Sequence, residues 1–459
     1  MSTFKVPKSS KSEQKSRDPG IQSGDLVLLR LPKGDIKSVK VEKNTTVVVG
    51  KFGSFHANEL IGQPYGLTYE IAGKKLKYLP PRTLEDVEDT DANNELINDG
   101  EFVQPLTGEE ILALKKTGAH ASDIIKKQID QHANYALKTE YSKDKYKKRK
   151  EAKYSKVFST IEPTLYNVAE YWWLKDQNRL RDLRVDSLSQ MLNLANIRPG
   201  GRYLVVDDAS GLLVAGILER MGGEGNLLTI CNNDSPPAYP IVSQMNFEPS
   251  ITDVLKSLNW ATAEEDYTPI LAPSDIPEDQ VKSDRQKNRL SKRKAISDLL
   301  SNTREDLFSG EFDSLVIASE HEPYSIIERL SPYLGGSASI VVHSPYQQIV
   351  VDLQAKLRNL PEWLCPSVTE AWLRRYQILP GRTHPMMAMS GSGGFLLHAI
   401  KIYDDPTAEA ALMQRRTKHK RPNPTASSEE PEKSTPSLGQ DGKDNDTDVE
   451  MSAENITTS

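Results

Sequence analysis

The stretch Arg202–Gly225, RYLVVDDASGLLVAGILERMGGEG, constrains the fold more than any other part of this 459-residue chain. Tyr203–Val206 is a short β-branched run, the pattern of a strand buried on both faces. Leu212–Met221 reads as a helix, stopped by Gly222 and Gly223. A strand, a tight turn and a helix in that order open a nucleotide-binding α/β domain. Such turns usually hold several glycines, because backbone N–H groups must come close to the ligand. Here the turn reads Asp207-Asp208-Ala209-Ser210-Gly211, with one glycine and two adjacent carboxylates expected to point at the cofactor position. The scaffold is present and the chemistry is missing.

The rest of the chain divides around this motif. Residues 1–20 read as disordered. Residues 21–81 read as a small β domain, with strand-like runs at Asp25–Leu31, Ser38–Val41, Thr45–Val49, Leu67–Ile71 and Lys75–Leu79 between turn residues. Residues 82–106 are acidic and poor in large apolar groups, the composition of a solvated linker. Residues 107–159 are helical by pattern, and residues 111–156 carry an excess of about eight positive charges. Residues 160–405 alternate strands and helices: a helix at Val185–Leu194, strands at Leu227–Cys231, Ser314–Ala318, Ser339–His343 after a Gly335-Gly336 turn, and Phe395–Ile402. That alternation predicts a mostly parallel sheet. Residues 264–294 interrupt it as an inserted loop, first acidic and then basic. Residues 406–459 are Ser/Thr/Pro/acid-rich and read as disordered.

Composition narrows the class. No apolar run is long enough to span a bilayer, and the polar, lysine-rich start argues against a secretory route. Two cysteines, Cys231 and Cys365, make neither a disulfide framework nor a zinc site. No metal is expected. The net charge of −6 hides its distribution in blocks.

Four segments carry a more specific signal: GKFGSFHANELIG (Gly50–Gly62), YSKDKYKKRKEAKY, RPGGRYLVVDDASGLLVAGILERMGG, and LRRYQILPGRTHPMMAMSGSGGFLLHAIKI (Leu373–Ile402). Through them the chain resembles the non-catalytic subunits of eukaryotic tRNA adenine-58 N1-methyltransferases, over roughly residues 21–405. The resemblance implies a Rossmann-like class I methyltransferase fold with a degenerate cofactor site. A small N-terminal β-barrel-like domain and a basic helical linker would precede it. It also implies a catalytic partner subunit that holds S-adenosylmethionine, a two-plus-two heterotetramer, bound tRNA and a nuclear location. No cofactor is expected in this chain.

Three positions bear on the missing chemistry. Asp208, Ala209 and Ser210 place side chains where a cofactor would lie. The end of the second strand has Cys231 and Asn232, where an acid usually holds both ribose hydroxyls. The end of Ser314–Ala318 reads Ala318-Ser319-Glu320-His321-Glu322-Pro323, with no carboxylate at Ala318 or Ser319, where the catalytic relatives carry one. Glu320, His321 and Glu322 are either a displaced acid/base cluster or a polar loop.

Binding signals remain. Tyr141, Tyr146 and Tyr154 interleave with Lys143, Lys145, Lys147, Lys148, Arg149, Lys150 and Lys153. That pattern suits RNA phosphates and unpaired bases, or a solvated helix face. Arg179, Arg181 and Arg184 form a second basic patch after Trp172 and Trp173, which read as core or interface residues. Arg374, Arg375, Arg382 and His384 suit tRNA and a partner salt bridge equally. Arg415–Arg421 reads as an import signal, an RNA contact or a solubilising run. The expected role is a tRNA-binding scaffold. Its rivals are a self-sufficient methyltransferase and a translation-initiation-associated RNA-binding factor.

Overall fold

The computed structural model describes residues 20–80, 108–116, 121–131, 135, 143, 146, 147, 150, 155–268, 284–379 and 382–403. Expectations for the two tails and for the acidic segment 82–106 fall outside these residues, apart from Gly20.

The first unit is a five-stranded antiparallel sheet in the order β2-β1-β7-β5-β6. Its strands are β1 (Leu26–Arg30), β2 (Ile36–Lys40), β5 (Thr68–Ala72), β6 (Lys75–Leu79) and β7 (Val157–Ile161). A separate ribbon pairs β3 (Thr46–Val48) with β4 (Ser54–His56). Among the described residues the edges β2 and β6 do not pair with each other, so this sheet is open where a barrel-like domain was expected. β7 crosses the expected boundary at residue 160 and pairs with both β1 and β5. Chain from beyond the basic segment thus returns to complete the first sheet.

The run DLVLLRL has a tertiary cause. In β1, Val27 and Leu29 face the core of the first sheet, with Phe55, Tyr69 and Phe158. Leu28 faces the other way, into the core of the larger domain. A strand buried on both faces reads as continuously apolar. Asn246 pins the seam, donating to the Leu26 carbonyl and accepting from the Leu26 N–H, both at 2.9 Å.

Helices α1 (Gly108–Lys116) and α2 (Ala121–Asp130) follow β6 in sequence. The larger domain begins with α3 (Leu165–Lys175) and α4 (Val185–Leu194), then β8 (Arg202–Asp207), α5 (Leu212–Met221) and β9 (Asn226–Cys231). Next come α6 (Pro240–Gln244), α7 (Pro249–Thr252), β10 (Leu255–Asn259), α8 (Asp284–Phe308) and β11 (Phe312–Ala318). It closes with α9 (Pro323–Leu330), β12 (Leu334–Ser344), α10 (Gln347–Arg358), β13 (Trp363–Trp372), the hairpin β14 (Tyr376–Leu379) and β15 (Arg382–Pro385), and β16 (Ser392–Lys401).

The seven-stranded sheet runs β10-β9-β8-β11-β12-β16-β13. Its first five strands are mutually parallel, and β16 is antiparallel to both neighbours. The order reverses beside β8, so a crevice opens at the carboxyl ends of β8, β9 and β11, where such sheets bind ligands. Cores lie on both faces. One contains α3, α4 and α5; the other contains α9 and α10.

Two expectations change. Gly335 and Gly336 lie inside β12 rather than in a turn. A Cβ on Gly336 would stand 2.7 Å from the Tyr403 ring, so glycine serves close packing there. The basic half of the expected loop 264–294 belongs to α8, a helix of 25 residues. Its first half is exposed apart from a half-buried Leu290, so it lacks the apolar periodicity that marks a helix in sequence.

Candidate functional site

The crevice is occupied by the chain's own side chains. β8 carries Asp207 to its buried carboxyl end. There Oδ1 accepts the N–H groups of Ala209 at 2.7 Å and Gly211 at 3.3 Å, and Oδ2 accepts that of Val214 at 3.0 Å. Asp207 therefore turns inward and organises the loop and the first turn of α5, instead of pointing at a ligand. Burial pushes its carboxyl up to about 6, against the pull of those N–H groups.

Asp208 turns sideways. Its N–H donates to the Ala318 carbonyl at 2.9 Å. Its Oδ2 accepts the Ser319 hydroxyl at 2.6 Å and the Glu320 N–H at 3.2 Å. The loop after β8 is thereby tied to the loop after β11. The loop after β9 joins them, because Asn232 Nδ2 donates to His321 Nε2 at 2.6 Å. Cys231 directs its thiol to the carbonyls of Asn233 and Leu258, both at 3.5 Å, and burial pushes its pKa up.

The remaining glycine keeps its close approach with a different occupant. Gly211 has φ of 84°, and an added Cβ would stand 2.7 Å from Cβ of Tyr239. Tyr239 itself holds the left-handed region at φ 36°, immediately before α6. Its ring covers the turn. Ala209 is buried, and Ser210 donates to the Arg179 carbonyl at 3.0 Å. What remains open is a polar cleft of about 380 Å³, with Asn178, Arg181, Asp208, Asn232 and Glu320 on its walls. Arg181 and Glu320 form an ion pair across it at 3.5 Å.

These residues do not fit a nucleoside-type methyl donor. The glycine approach is taken by a tyrosine, the ribose position has no carboxylate, and Asp208 and Asn232 on the cleft walls are already bonded to the loop after β11. The Glu320–Glu322 cluster is likewise employed in holding loops. Glu322 caps α9 by accepting the Ser325 N–H at 2.7 Å, and pairs with Lys356 at 3.1 Å.

The expected RNA contacts scatter. Arg184 is a correction: its guanidinium is buried and cannot reach a phosphate. It forms a two-pronged pair with Asp186 at 2.6 and 2.8 Å and donates to the carbonyls of Ala371, Ser390, Gly391 and Ser392. Five donors in a rigid fork suit that task, binding α4 to the end of the sheet. Arg375 is bound to Glu170 by both prongs and to the Tyr166 hydroxyl at 3.2 Å. Arg374 donates to the carbonyls of Met386 at 2.9 Å and Met389 at 3.2 Å. Arg179 is exposed beside Asp176 at 3.5 Å, and His384 is exposed on β15. Trp172 is core, its indole N–H donating to Gln244 at 2.8 Å.

Within the basic block, Lys147 is exposed and Lys143 half-buried. Lys150 lies over the Tyr146 ring at 5.0 Å, and Tyr146 meets Tyr135 edge-on at 5.9 Å. Lys145, Lys148, Arg149 and Lys153 lie outside the described residues, as do the side chain of Arg382 and the run Arg415–Arg421. Sequence reasoning missed Tyr239, Glu170 and the Asp208–Ser319 bond. Only Pro240 at a helix start hinted at the first.

The sheet order, with its reversal beside β8 and the antiparallel β16, defines a Rossmann-like α/β fold, and its crevice is lined by polar side chains bonded between the loops. Known sequences give the particular family. The profile of the Gcd10p family matches residues 20–295, and the chain belongs to that family. The tRNA (adenine(58)-N(1))-methyltransferase non-catalytic subunit trm6 of Schizosaccharomyces pombe is 31% identical over 436 residues, covering 85% of this chain and 94% of that protein. The subunit of the same name from Mus musculus is 26% identical over 452 residues, covering 84% and 90%. Among solved structures, the tRNA (m1A58) methyltransferase TrmI of Aquifex aeolicus matches with a TM-score of 0.43 at 14% identity, covering 84% of this chain and 100% of that one.

Proposed function

We propose that this chain is the non-catalytic, tRNA-binding subunit of a tRNA N1-adenine-58 methyltransferase complex. The observation that carries this is the crevice itself: Asp207 is taken up by backbone N–H groups of its own loop, Asp208 is bonded to Ser319, Asn232 to His321, and the Tyr239 ring lies against Gly211 where a donor would bind. A catalytic partner subunit then holds S-adenosylmethionine, and this chain positions the tRNA. The family's curated members, named as non-catalytic subunits, support that division.

The reading includes a two-plus-two heterotetramer in the nucleus. A partner-binding surface is supported by the exposed apolar side chains Trp372, Tyr376, Ile378 and Met387, on and around the β14–β15 hairpin. Phosphate contacts fall to the basic segment around Lys143, Lys147 and Lys150, with Arg179, Arg181 and His384 on the larger domain. Purification of the chain from its native source is expected to bring down a second methyltransferase-fold subunit in equal amount. Isothermal titration of the isolated chain with S-adenosylmethionine is expected to show no heat of binding. Micromolar affinity, or a translation complex lacking any methyltransferase, overturns the reading.

A further inference from the structure

Helix α8 has two unlike halves. Its carboxyl-terminal half is fastened to the domain. Thr303 and Leu307 are buried, and Leu300 packs on the core shared with β11. Arg304 donates to the carbonyls of Thr262 and Glu264, Arg202 donates to the Asp306 carbonyl at 2.9 Å, and Lys256 of edge strand β10 pairs with Asp306. The amino-terminal half, Asp284–Ile296, is exposed throughout except for a half-buried Leu290, Gln286 lying outside the described side chains. At 1.5 Å per residue it is an arm about 20 Å long.

The arm carries Arg285, Lys287, Arg289, Lys292, Arg293 and Lys294 against the single acid Asp284. None of the six is in an ion pair among the described residues. Arg285, Arg289 and Arg293 are four apart, so like charges stack along the helix and work against it. No apolar face compensates in this half. The charges also have an orientation. Arg285, Arg289, Lys292, Ile296, Leu300, Thr303 and Leu307 follow one another at intervals of three or four, which is one face of a helix. That face is apolar where it lies on the sheet and cationic where it continues past it. Lys287 and Lys294 lie on the opposite side. A molecule on the cationic face would lie alongside the β10 edge of the domain and meet a row of exposed guanidinium and ammonium groups. The complementary chemistry is a run of phosphates.

We infer that the amino-terminal half of α8 is an RNA-backbone-binding arm, separate from the basic segment around Lys143–Lys150. The inference rests on the tRNA-binding reading above, and it names a contact that reading does not need. Arginine forks and lysine charges there would hold phosphates irrespective of base sequence, adding counterion release to the binding of tRNA. The uncompensated charge of the arm would be neutralised in the complex.

The test uses the complete complex with its catalytic subunit and unmodified tRNA, with affinity read by fluorescence anisotropy from 50 to 200 mM salt. The variant is R285A/R289A/K292A/R293A, because alanine keeps the exposed half helical. Affinity is expected to fall at least about tenfold at 100 mM salt, and the log–log salt slope to shallow by about 3, at about 0.9 per phosphate contact. The opposite-face variant K287A/K294A is expected to change the slope by less than about 1. Thermal melting of both variants is expected to match the parent, since the packed half is untouched. An unchanged affinity and slope in the four-residue variant, while the parent complex binds tRNA, overturns the arm and leaves the tRNA-binding reading standing. Equal losses from both faces overturn the directional contact. Loss of the catalytic subunit with tRNA affinity intact makes the arm a protein-docking element and overturns the inference. A parent complex that binds no tRNA at any salt refutes the broader reading and the arm together.

Discussion

Replacing Asp207 with asparagine tests whether the turn after β8 is architecture. The Asp207 carboxyl is buried and held near a pKa of 6, against about 3.9 in an unfolded chain. The folded protein therefore holds the proton more tightly than the unfolded one. Stability from this group is fully present below about pH 4, is lost as pH rises to about 6, and is flat above that. Two pKa units correspond to about 3 kcal/mol. His343 runs the opposite way. Burial holds its imidazole down to about 4, so the unfolded chain takes up a proton that the folded one refuses. Stability from His343 is lost as pH falls from about 6.5 towards 4. The two slopes partly cancel in the parent protein. Asp207→Asn removes only the first, because an amide does not titrate. At pH 7 the variant loses an acceptor for Val214, or for Ala209 and Gly211, at about 1–3 kcal/mol for each N–H left unpaired. It also escapes a buried-charge penalty of about 3 kcal/mol, so the two proteins should unfold at similar urea concentrations. Towards pH 4 the parent should become more stable than the variant by up to about 3 kcal/mol. Paired urea titrations followed by tryptophan fluorescence measure the difference at each pH. A difference that stays constant from pH 7 to pH 4 refutes the buried-carboxylate account of the turn.

Other perturbations separate structure from binding. Arg184→Ala leaves Asp186 without its buried partner and removes the guanidinium from four carbonyls; urea unfolding should show a loss of about 3–5 kcal/mol, and Arg184→Lys should not restore it. Gly211→Ala forces a side chain into the left-handed region and against Tyr239, at about 1–3 kcal/mol, and adding Tyr239→Ala should recover only part of the loss in melting temperature. Asp208→Gly, which returns a glycine to the turn, should still give no heat with S-adenosylmethionine in isothermal titration, because Tyr239 and the missing ribose acid remain. Lys147→Ala/Lys150→Ala should shallow the salt dependence of tRNA binding by about 1–2 log–log units, and an unchanged slope removes these lysines from the interface.

Local elements were legible because burial of a strand or helix is written in its own periodicity. Helices Val185–Leu194 and Leu212–Met221 stand where their apolar spacing and the Gly222 stop place them. The runs Tyr203–Val206 and Ser314–Ala318 are central strands because both faces are covered. Strands such as β10 and β13, with mixed burial, left no clear pattern and went unread. Helix α8 was hidden for the opposite reason, since its exposed half has no face to bury.

The sequence by itself determined that a strand–turn–helix scaffold exists and that its turn has too few glycines for a close ligand. It also determined that no acid follows the second or fourth strand at the usual positions. Which side chains fill the vacated space was decided by tertiary structure alone. Asp208 meets Ser319 across 111 residues of chain, and Asn232 meets His321 across 89. Arg184, read as an exposed cation, is buried because the chain between β13 and β16 closes over it with carbonyls some 190 to 210 residues away in sequence. Periodicity tells each element which of its faces is covered, and the order of strands in the sheet tells it by what.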